Sequence, residues 1–291
     1  MIKKKLIKNA RKIDQFLIKF LKKQQSSLLV KPMKYGVISG GKKIRSTIIF
    51  DAGKIFNISE KKLINICAAV ECIHSYSLIH DDLPCMDNDT IRRGKPATHI
   101  KFGEASAVLA GSSLLTLAFE IIADKKYLLS PKAKNEIIKF LSSCSGHTGI
   151  AGGQELDLKF ENKKKGINQI IDMQKKKTGK LFNFCLYAVG VVAKKNTKDK
   201  LFLSNLGEEI GLLFQLADDF LDFRGLKKLL GKPVKKDHKK GKSTLLNLMG
   251  EKKAYLFANN LKRKILRKLE KHGKNAKELI STIEFILERK F

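Results

Sequence analysis

The sequence predicts an all-α protein, and two observations lead to this fold class. Apolar residues recur at helical spacing through most of the 291 residues, whereas no segment sustains the alternation of apolar and polar residues that is typical of strands. Only five prolines interrupt the chain, and no linker rich in proline, glycine or serine divides it. We therefore expect residues 1–291 to form a single helical-bundle domain with a substantial core.

The first predicted helix is amphipathic and lies at the N-terminus. Its apolar residues are Leu6, Ile13, Phe16, Leu17 and Phe20. A packed first helix is our interpretation, and a transit peptide is the alternative. The other predicted helices lie at about residues 43–56, 60–82, 104–123, 131–146, 167–193, 198–224 and 251–288. Those at 60–82 and 104–123 are apolar nearly all round, which is typical of helices inside a bundle.

Charge and cysteine content narrow the class of protein. The 59 basic residues minus the 28 acidic residues give a net charge of +31, which attracts polyanions. The lysines are spread along the whole chain, so biased codon usage explains the excess better than nucleic-acid binding does. The longest uncharged runs, 105–119 and 181–193, are shorter than the roughly 18–20 residues of a membrane span. The five cysteines form no CxxC pair, and free thiols predict a reducing, cytoplasmic compartment.

Two clusters of aspartates carry the predicted chemistry. The first, DDLPCMDND at 81–89, closes the apolar helix at 60–82. The second, DDFLD at 218–222, follows the apolar run at 210–217. Carboxylates this close repel one another unless cations hold them, and burying them is costly. Oxygen ligands suit hard divalent ions, and Mg²⁺ typically binds a few carboxylates together with waters and substrate phosphates. We therefore interpret both clusters as magnesium ligands rather than as solvated helix ends.

The spacing within each cluster agrees with this interpretation. Asp218 and Asp222 are four residues apart, so they lie on one helix face about one turn apart. Asp81 and Asp87 are six residues apart and would point roughly 120° away from each other on an ideal helix. Pro84 lies between them, and because proline lacks an N–H and clashes with the preceding turn, the helix should end or bulge there. We expect this break to bring Asp87 back beside Asp81.

Basic residues accompany the acidic clusters near predicted helix ends. Lys42 and Arg45 are three residues apart and should share one helix face. Arg92 and Arg93 follow the first cluster in a basic turn, and guanidinium groups bind phosphate oxygens in a bidentate way. A lysine-rich loop spans residues 231–242. Magnesium-binding carboxylates together with separate cation clusters predict a site for diphosphates.

Two other motifs point to different chemistry. The sequence GKST at 241–244 resembles the end of the phosphate-binding loop of nucleoside triphosphatases, but that loop needs a glycine where Lys236 stands. His80 and Asp81, with His74 upstream, resemble an HD-type metal phosphohydrolase. That alternative leaves the second aspartate cluster unexplained.

The chain contains, in this order, the motifs GGKKIR, DDLPCMD followed by RRG, GGQELD, KTG, FQLADDFLD and GKST. Together they resemble the trans-polyprenyl diphosphate synthases, especially the bacterial farnesyl diphosphate synthases, over about residues 33–244. The resemblance implies a single-domain helical bundle of the isoprenoid synthase type around a deep central cavity, and a homodimer. It also implies a prenyltransferase that condenses isopentenyl diphosphate with dimethylallyl and then geranyl diphosphate to give farnesyl diphosphate. Geranyl and geranylgeranyl diphosphate synthases of the same family are alternatives.

The resemblance also implies roles for individual residues. Three Mg²⁺ ions, for which Mn²⁺ can substitute, would be held by Asp81, Asp87, Asp218 and Asp222, with Asp82 in support. Isopentenyl diphosphate would bind Lys42, Arg45, His74 and Arg93. The allylic diphosphate would bind Arg92, Lys177, Thr178, Gln215, Lys232 and Lys242. Of these, Lys177, Thr178 and Gln215 are the implied catalytic residues, because the Gln215 carbonyl and the Thr178 hydroxyl are suited to stabilise an allylic cation.

The resemblance also implies that Tyr76 limits the length of the product. It precedes Asp81 by five positions, a little more than one helical turn of about 5.4 Å. In the family, a large aromatic residue at this position forms the cavity floor and limits the product to fifteen carbons.

The chain departs from the family pattern after the second aspartate cluster. Lys235-Lys236-Asp237 stands where a glycine usually precedes the aspartate, and Leu245-Leu246 stands where Tyr-Pro often occurs. These departures concern the surroundings of Lys232 and Lys242. Two other classes stay open: a regulatory subunit, which would typically lose one aspartate cluster, and a terpene cyclase, which would not need cations for a second diphosphate.

Overall fold

The computed structural model describes residues 2–24, 27–38, 40–224 and 244–288, and almost all regular structure in these ranges is helical. The α-helices are α1 (Ile2–Lys22), α2 (Val30–Ile38), α3 (Ile44–Ile55), α4 (Ile64–Asp81), α5 (Thr98–Phe102), α6 (Glu104–Ala123), α7 (Pro131–Ser145), α8 (Ile150–Phe160), α9 (Ile167–Gln174), α10 (Lys180–Val192), α11 (Thr197–Arg224), α12 (Leu245–Met249), α13 (Glu251–Glu270) and α14 (Lys277–Glu288). Short 3₁₀ turns lie at Glu60–Lys62 and Gly273–Ala276, and a π-helical segment lies at Lys175–Gly179. Two strands, β1 (Ile91–Arg92) and β2 (Lys95–Pro96), form an antiparallel hairpin. The prediction of an all-α fold is confirmed.

Most predicted helices match observed ones, and two of them are divided. The predicted helix at 167–193 is α9, the π segment and α10 in direct succession. The predicted helix at 251–288 is α13 and α14, which are separated by a 3₁₀ turn beginning at Gly273 with a φ of +53°. This positive φ ends the right-handed helix, and glycine adopts it readily because it has no Cβ.

The contacts group the chain into two compact units. The first consists of residues 1–50 and 59–138, and the second of residues 51–58 and 139–291. Helices α3 and α7 contribute residues to both units. The predicted deep central cavity stays a prediction.

Helix α4 is the central element of the first unit and carries the first aspartate cluster at its end. It packs against α1, α2 and α6, and Ile66 and Ile73 are completely buried. Asn65 donates a hydrogen bond to the carbonyl of Ile121 at 3.0 Å. A Cβ on Gly111 of α6 would collide with the ring of His80, so glycine at this position leaves room for that ring. Each fully buried isoleucine contributes about 1.5–3 kcal/mol, so α4 is firmly held.

Helix α11, which carries the second aspartate cluster, lies at the centre of the second unit. It pairs with α10 and also contacts α13 and α14. A Cβ on Gly211 would lie 2.6 Å from the Cα of Gly179, and a Cβ on Gly207 would collide with the carbonyl of Phe182. These two glycines let the backbone of α11 touch the backbones of the π segment and of α10. The close contact fixes the position of the π segment against α11.

Helix α6 is the one helix in the described ranges whose length and composition would allow it to cross a membrane. It packs against α2, α4 and α5, and its residues Ala107, Leu114 and Ile121 are completely buried. The core helices of soluble proteins pass the same test of length and composition, and one side of α6 is packed within the first unit while Val108 and Leu109 on the other side are exposed.

All five cysteines are free thiols, as the sequence predicted. Cys67, Cys72, Cys144 and Cys185 are buried, and Cys85 is exposed.

Candidate active site

The first aspartate cluster folds back on the end of α4. After α4 ends at Asp81, the N–H of Asp87 donates to the carbonyl of Asp81 at 2.8 Å, and the N–H of Asp89 donates to the carbonyl of Asp82 at 3.1 Å. Asn88 takes up a φ of +49°, in the left-handed region that asparagine tolerates better than most residues. The predicted break therefore does bring Asp87 beside Asp81.

The two adjacent aspartates of this cluster have different surroundings. Asp82 is only 2% exposed and is held by the guanidinium of Arg92, whose Nε donates to Asp82 Oδ1 at 2.9 Å. The Arg92 Nη2 also donates to Asp82 and, at 3.3 Å, to the buried Asp89. Burial opposes the charge of Arg92, but the hydrogen bond to Asp82 and the negative charges of Asp82, Asp81 and Asp87 together outweigh it, so the pKa of Arg92 is raised. Asp81 and Asp87 are partly exposed instead.

The glycine-rich turn before α3 does not form the predicted helix face. Gly40 and Gly41 have φ values of +98° and +100°, and Lys43 has +44°, so α3 begins only at Ile44. Lys42 therefore precedes the helix, and the expectation that it shares a helix face with Arg45 is wrong. The prediction missed this because it extended the helical period through residues that adopt left-handed conformations.

Arg93 connects this turn to the basic hairpin. Its Nη1 donates to the carbonyl of Gly40 at 2.6 Å, and a Cβ on Gly41 would lie 2.8 Å from its Cζ. Arg92 and Arg93 also line a small cavity of about 20 Å³ together with Asp82. The hairpin thus directs one arginine toward the aspartate cluster and the other toward the turn that carries Lys42.

His74 lies on α4 among cations and is partly buried. Burial, and then the charges of Arg45 and Arg93, hold the pKa of His74 well below its ordinary value. A neutral imidazole in this position can accept or donate a hydrogen bond without adding to the local positive charge.

Tyr76 is buried on α4 below the aspartates. Its side chain is 8% exposed, and its ring meets that of His80 edge-on, with centroids 5.6 Å apart. Burial, with a smaller contribution from Asp81, raises the pKa of Tyr76 to about 12. The phenol therefore stays neutral at physiological pH.

The second aspartate cluster has the same arrangement as the first. Asp219 is 5% exposed and accepts hydrogen bonds from Gln174 Nε2 at 3.1 Å and Gln215 Nε2 at 3.0 Å. Asp218 and Asp222 lie one turn apart on α11 and are partly exposed. In both clusters the first aspartate of the pair is accessible, whereas the second holds neighbouring side chains in place.

The π segment carries two of the three predicted catalytic residues, Lys177 and Thr178, and each of them contacts a side chain from another helix. Thr178 Oγ1 donates to Gln215 Oε1 at 2.8 Å, and Lys177 Nζ forms an ion pair with Asp157 Oδ2 at 2.6 Å. Because Asp219 accepts from the amide nitrogen of Gln215, the carbonyl end of that amide must face Thr178. π-helical segments are rare and often occur at functional sites.

The sequence interpretation missed the role of Asp157. This residue ends the quoted motif GGQELD, so its position was visible, but nothing in the spacing indicated that its carboxylate would hold Lys177. The same motif needs a glycine at position 153, because a Cβ on Gly153 would collide with the backbone of Lys177. Lys232 and Lys242, which the sequence also implied, lie outside the described residues.

The donor atoms fit a hard divalent metal. The partly exposed residues of both clusters, Asp81 and Asp87 in the first unit and Asp218 and Asp222 in the second, offer only carboxylate oxygens. Within the described ranges, no three histidine, cysteine, aspartate or glutamate side chains converge to make a complete metal site. Such incomplete sets of oxygen ligands suit Mg²⁺, which typically keeps waters and binds substrate phosphates.

A family model described as polyprenyl synthetase matches residues 26–283, which includes both units. This chain belongs to that family. As a polyprenyl synthetase it is a prenyltransferase of isoprenoid biosynthesis. The family match therefore rules out the alternative of an HD-type metal phosphohydrolase.

Individual relatives agree with this assignment. The farnesyl diphosphate synthase of Escherichia coli (strain K12) is 39% identical over 270 residues, which cover 91% of this chain and 90% of that protein. The crystal structure of an FPP/GFPP synthase from Zymomonas mobilis has a TM-score of 0.87 and 36% identity over 98% of both chains. A geranyltransferase from Helicobacter pylori, crystallised with magnesium and isoprenyl diphosphate, has a TM-score of 0.79 and 32% identity over 90% of this chain and 87% of that chain.

Proposed function

We propose that this polyprenyl synthetase condenses isopentenyl diphosphate with dimethylallyl diphosphate and then with geranyl diphosphate, and that it releases farnesyl diphosphate. The observation that carries the product length is the buried ring of Tyr76, about one helical turn below Asp81. A prenyl chain that grows from the aspartates along α4 would meet this ring. The relative from E. coli is a farnesyl diphosphate synthase, whereas the Z. mobilis relative carries two product names. The proposal of a fifteen-carbon product therefore rests on the Tyr76 ring.

The partly exposed carboxylates Asp81, Asp87, Asp218 and Asp222 are the proposed ligands of three Mg²⁺ ions, for which Mn²⁺ can substitute. When bound, magnesium neutralises the diphosphate of the allylic substrate and favours its departure. Asp82 supports this set indirectly, because it is buried against Arg92. The geranyltransferase from H. pylori was crystallised with magnesium and isoprenyl diphosphate, which supports the same cofactor and substrate class here.

Two sets of cations would bind the two diphosphates. Isopentenyl diphosphate is assigned to Lys42, Arg45, His74 and Arg93, and the allylic diphosphate to Arg92 and Lys177 together with Lys232 and Lys242. The contact between Arg93 and Gly40 supports the first set, because it joins the hairpin to the turn that carries Lys42. The cations of the allylic set would stabilise the negative charge that develops as the allylic diphosphate leaves. Those of the isopentenyl set would hold a diphosphate that stays on the product.

Thr178 and Gln215 have orientations that suit an adjacent allylic cation. The Thr178 proton is directed at Gln215, so a lone pair of its oxygen remains available to a neighbouring positive charge. Neither group is a strong nucleophile, so the cation is stabilised without being trapped. The double bond of isopentenyl diphosphate then attacks the cation, and the released diphosphate accepts the proton that is lost.

The test is a product assay with the purified protein. Incubation with isopentenyl diphosphate, dimethylallyl diphosphate and Mg²⁺ should give a fifteen-carbon diphosphate, and removal of Mg²⁺ by EDTA should abolish turnover. Products that stop at ten carbons, or that extend to twenty, would support the geranyl or geranylgeranyl synthase alternatives. No elongation in the presence of Mg²⁺ would reject the proposed activity.

The role of Tyr76 has its own prediction. Tyr76→Ala removes the ring, so the products should lengthen to twenty carbons or more, as measured by mass spectrometry of the dephosphorylated alcohols. Tyr76→Phe keeps the ring and is the matched control, for which the product should stay at fifteen carbons. An unchanged product spectrum for Tyr76→Ala would show that another residue forms the floor.

A homodimer is proposed from the accessible side of α6. No charged residue lies between Glu104 and Glu120, although 30% of the chain is charged. Val108 and Leu109 on this side are exposed, Leu109 at 53%. Light scattering coupled to size exclusion should give twice the chain mass, and Leu109→Glu should give the monomer mass.

The five free thiols support a reducing compartment, and we place the enzyme in the cytoplasm.

A further inference from the structure

Lys43, which immediately follows the proposed substrate lysine Lys42, is directed into the protein. Its side chain is 2% exposed. The ammonium Nζ donates to the carbonyl of Val37 at 2.8 Å and lies 3.3 Å from Asp14 Oδ1. Glu71 Oε2 of α4 lies 3.9 Å from the same nitrogen. A lysine buried in this way cannot reach a substrate, so its charge serves the protein itself.

The partners of Lys43 are themselves fixed. Glu71 is buried and accepts a hydrogen bond from Ser46 Oγ at 2.8 Å. Asp14 belongs to α1, and Glu71 belongs to α4. The Lys43 ammonium therefore connects the start of α3 to two other helices, and one of them ends at the first aspartate cluster.

The backbone of Lys43 also requires support. Its φ of +44° lies in the left-handed region, which is unfavourable for a residue with a Cβ. Residues persist in such conformations only where their surroundings hold them. At the other end of the turn, Arg93 donates to the carbonyl of Gly40. The four residues Gly40–Lys43 are thus anchored at both ends, with Lys42 between the anchors.

We infer that Lys43 is a positioning residue whose buried ion pairs with Asp14 and Glu71 hold the Gly40–Lys43 turn in the shape that presents Lys42 and Arg45 to isopentenyl diphosphate. The inference rests on the proposed function. It predicts that the site for isopentenyl diphosphate depends on a residue that never contacts this substrate, whereas the allylic site does not.

The experiment compares KM values for both substrates in the full-length enzyme. Lys43→Met removes the charge but keeps an apolar side chain of similar length. It should raise KM for isopentenyl diphosphate by about tenfold or more, because small displacements of binding groups are costly, while KM for geranyl diphosphate changes by no more than about twofold. Lys8→Met, on the exposed side of α1, is the control and should change neither value.

A second variant keeps the test decisive if Lys43→Met does not fold. Asp14→Asn removes one ion-pair partner at a partly exposed position, and it should raise KM for isopentenyl diphosphate alone, by a smaller factor. Parallel increases in both KM values, or an unchanged KM for isopentenyl diphosphate in a folded variant, would overturn the inference. A wild-type enzyme that does not use isopentenyl diphosphate would instead reject the proposed function, so the two failures are distinguishable.

Discussion

At the scale of single residues, Asp82 and Asp219 explain why each cluster begins with two adjacent aspartates. Asp82 holds Arg92, and Asp219 holds Gln174 and Gln215. Their neighbours Asp81 and Asp218 stay partly exposed. The pair therefore combines an accessible carboxylate with a buried one that positions the surrounding side chains.

Arg92 should be important for stability as well as for binding, because it neutralises two buried carboxylates. Arg92→Met leaves Asp82 and Asp89 without that partner, so the free energy of unfolding should fall by about 3–5 kcal/mol in urea denaturation. Adding Asp82→Asn removes one of the two charges and should restore part of the loss. A loss below about 1 kcal/mol for the single variant would show that solvent already screens these groups.

His74 should make stability depend on pH. Its pKa is well below the ordinary value of about 6.5 in the folded protein, so below pH 6.5 the unfolded chain binds a proton that the folded protein does not. Stability is therefore highest above pH 6.5 and is lost as the pH falls toward the folded pKa. Between pH 7.5 and 5.5, wild type should lose about 1 kcal/mol more than His74→Gln does.

The control for this pH dependence is His147→Gln, at an exposed histidine in the second unit. Its loss of unfolding free energy over the same pH range should equal that of wild type. Equal losses for wild type and His74→Gln would mean that His74 takes up its proton in the folded state.

Residue-level predictions succeeded where a pattern dictates the local backbone. Pro84 ends a helix on steric grounds, so the return of Asp87 to Asp81 could be predicted. The turn before α3 could not, because glycines permit several backbone conformations, and only tertiary contacts such as the one from Arg93 select the observed one. The partner of Lys177 was also missed, since Asp157 is distant in sequence and becomes its neighbour only in the folded unit.

At the scale of elements, the π segment depends on close contact with α8. Because a Cβ on Gly153 would collide with backbone atoms of Lys177, no side-chain rotation can relieve the clash. Gly153→Ala should therefore displace the π segment, lower the free energy of unfolding by about 1–3 kcal/mol and reduce kcat. Urea denaturation and the product assay measure the two effects.

The matched control is Gly166→Ala at the start of α9. Its Cβ would meet only the end of the Gln169 side chain, at 3.9 Å, and its φ is negative, so the substitution should leave kcat unchanged. The preference for glycine over alanine at an N-cap should lower the free energy of unfolding by less than about 1 kcal/mol. If Gly153→Ala behaved like this control, α8 and the π segment would have to separate without cost.

Long helices could be predicted from the sequence because their apolar period extends over several turns. Helices α2, α5, α8 and α12 were not predicted, since they are short or rich in glycine and give few repeats of the pattern. The π segment was also not predicted, because its five residues make only about one turn, which is too short for a distinct period of apolar positions. Hydrogen bonding in the folded unit determines these elements.

At the scale of the whole molecule, the net charge of +31 should destabilise the folded state by self-repulsion. Raising NaCl from about 10 mM to about 150 mM shortens the Debye length from about 30 Å to about 8 Å and screens this repulsion. The thermal midpoint should therefore rise, by roughly 2–4 °C for each kcal/mol gained. Differential scanning fluorimetry measures the midpoint, and KCl should act like NaCl if screening is the cause.

A midpoint that falls with added salt would instead show that attractive ion pairs, such as Arg92 with Asp82, contribute more than the repulsion does.

The family and the all-α class could both be predicted from the order of motifs and the helical period. The division of contacts into two units could not, because α3 and α7 run continuously through both.

The different exposure of the five cysteines allows the enzyme to be labelled chemically at a single position. Four thiols are shielded inside the units, and burial raises the pKa values of Cys72 and Cys144 to about 12, so these groups resist alkylation. Cys85 alone is accessible, two residues before Asp87. A maleimide dye added to the native protein would thus attach at one point, and its fluorescence could report in real time the arrival and departure of reactants.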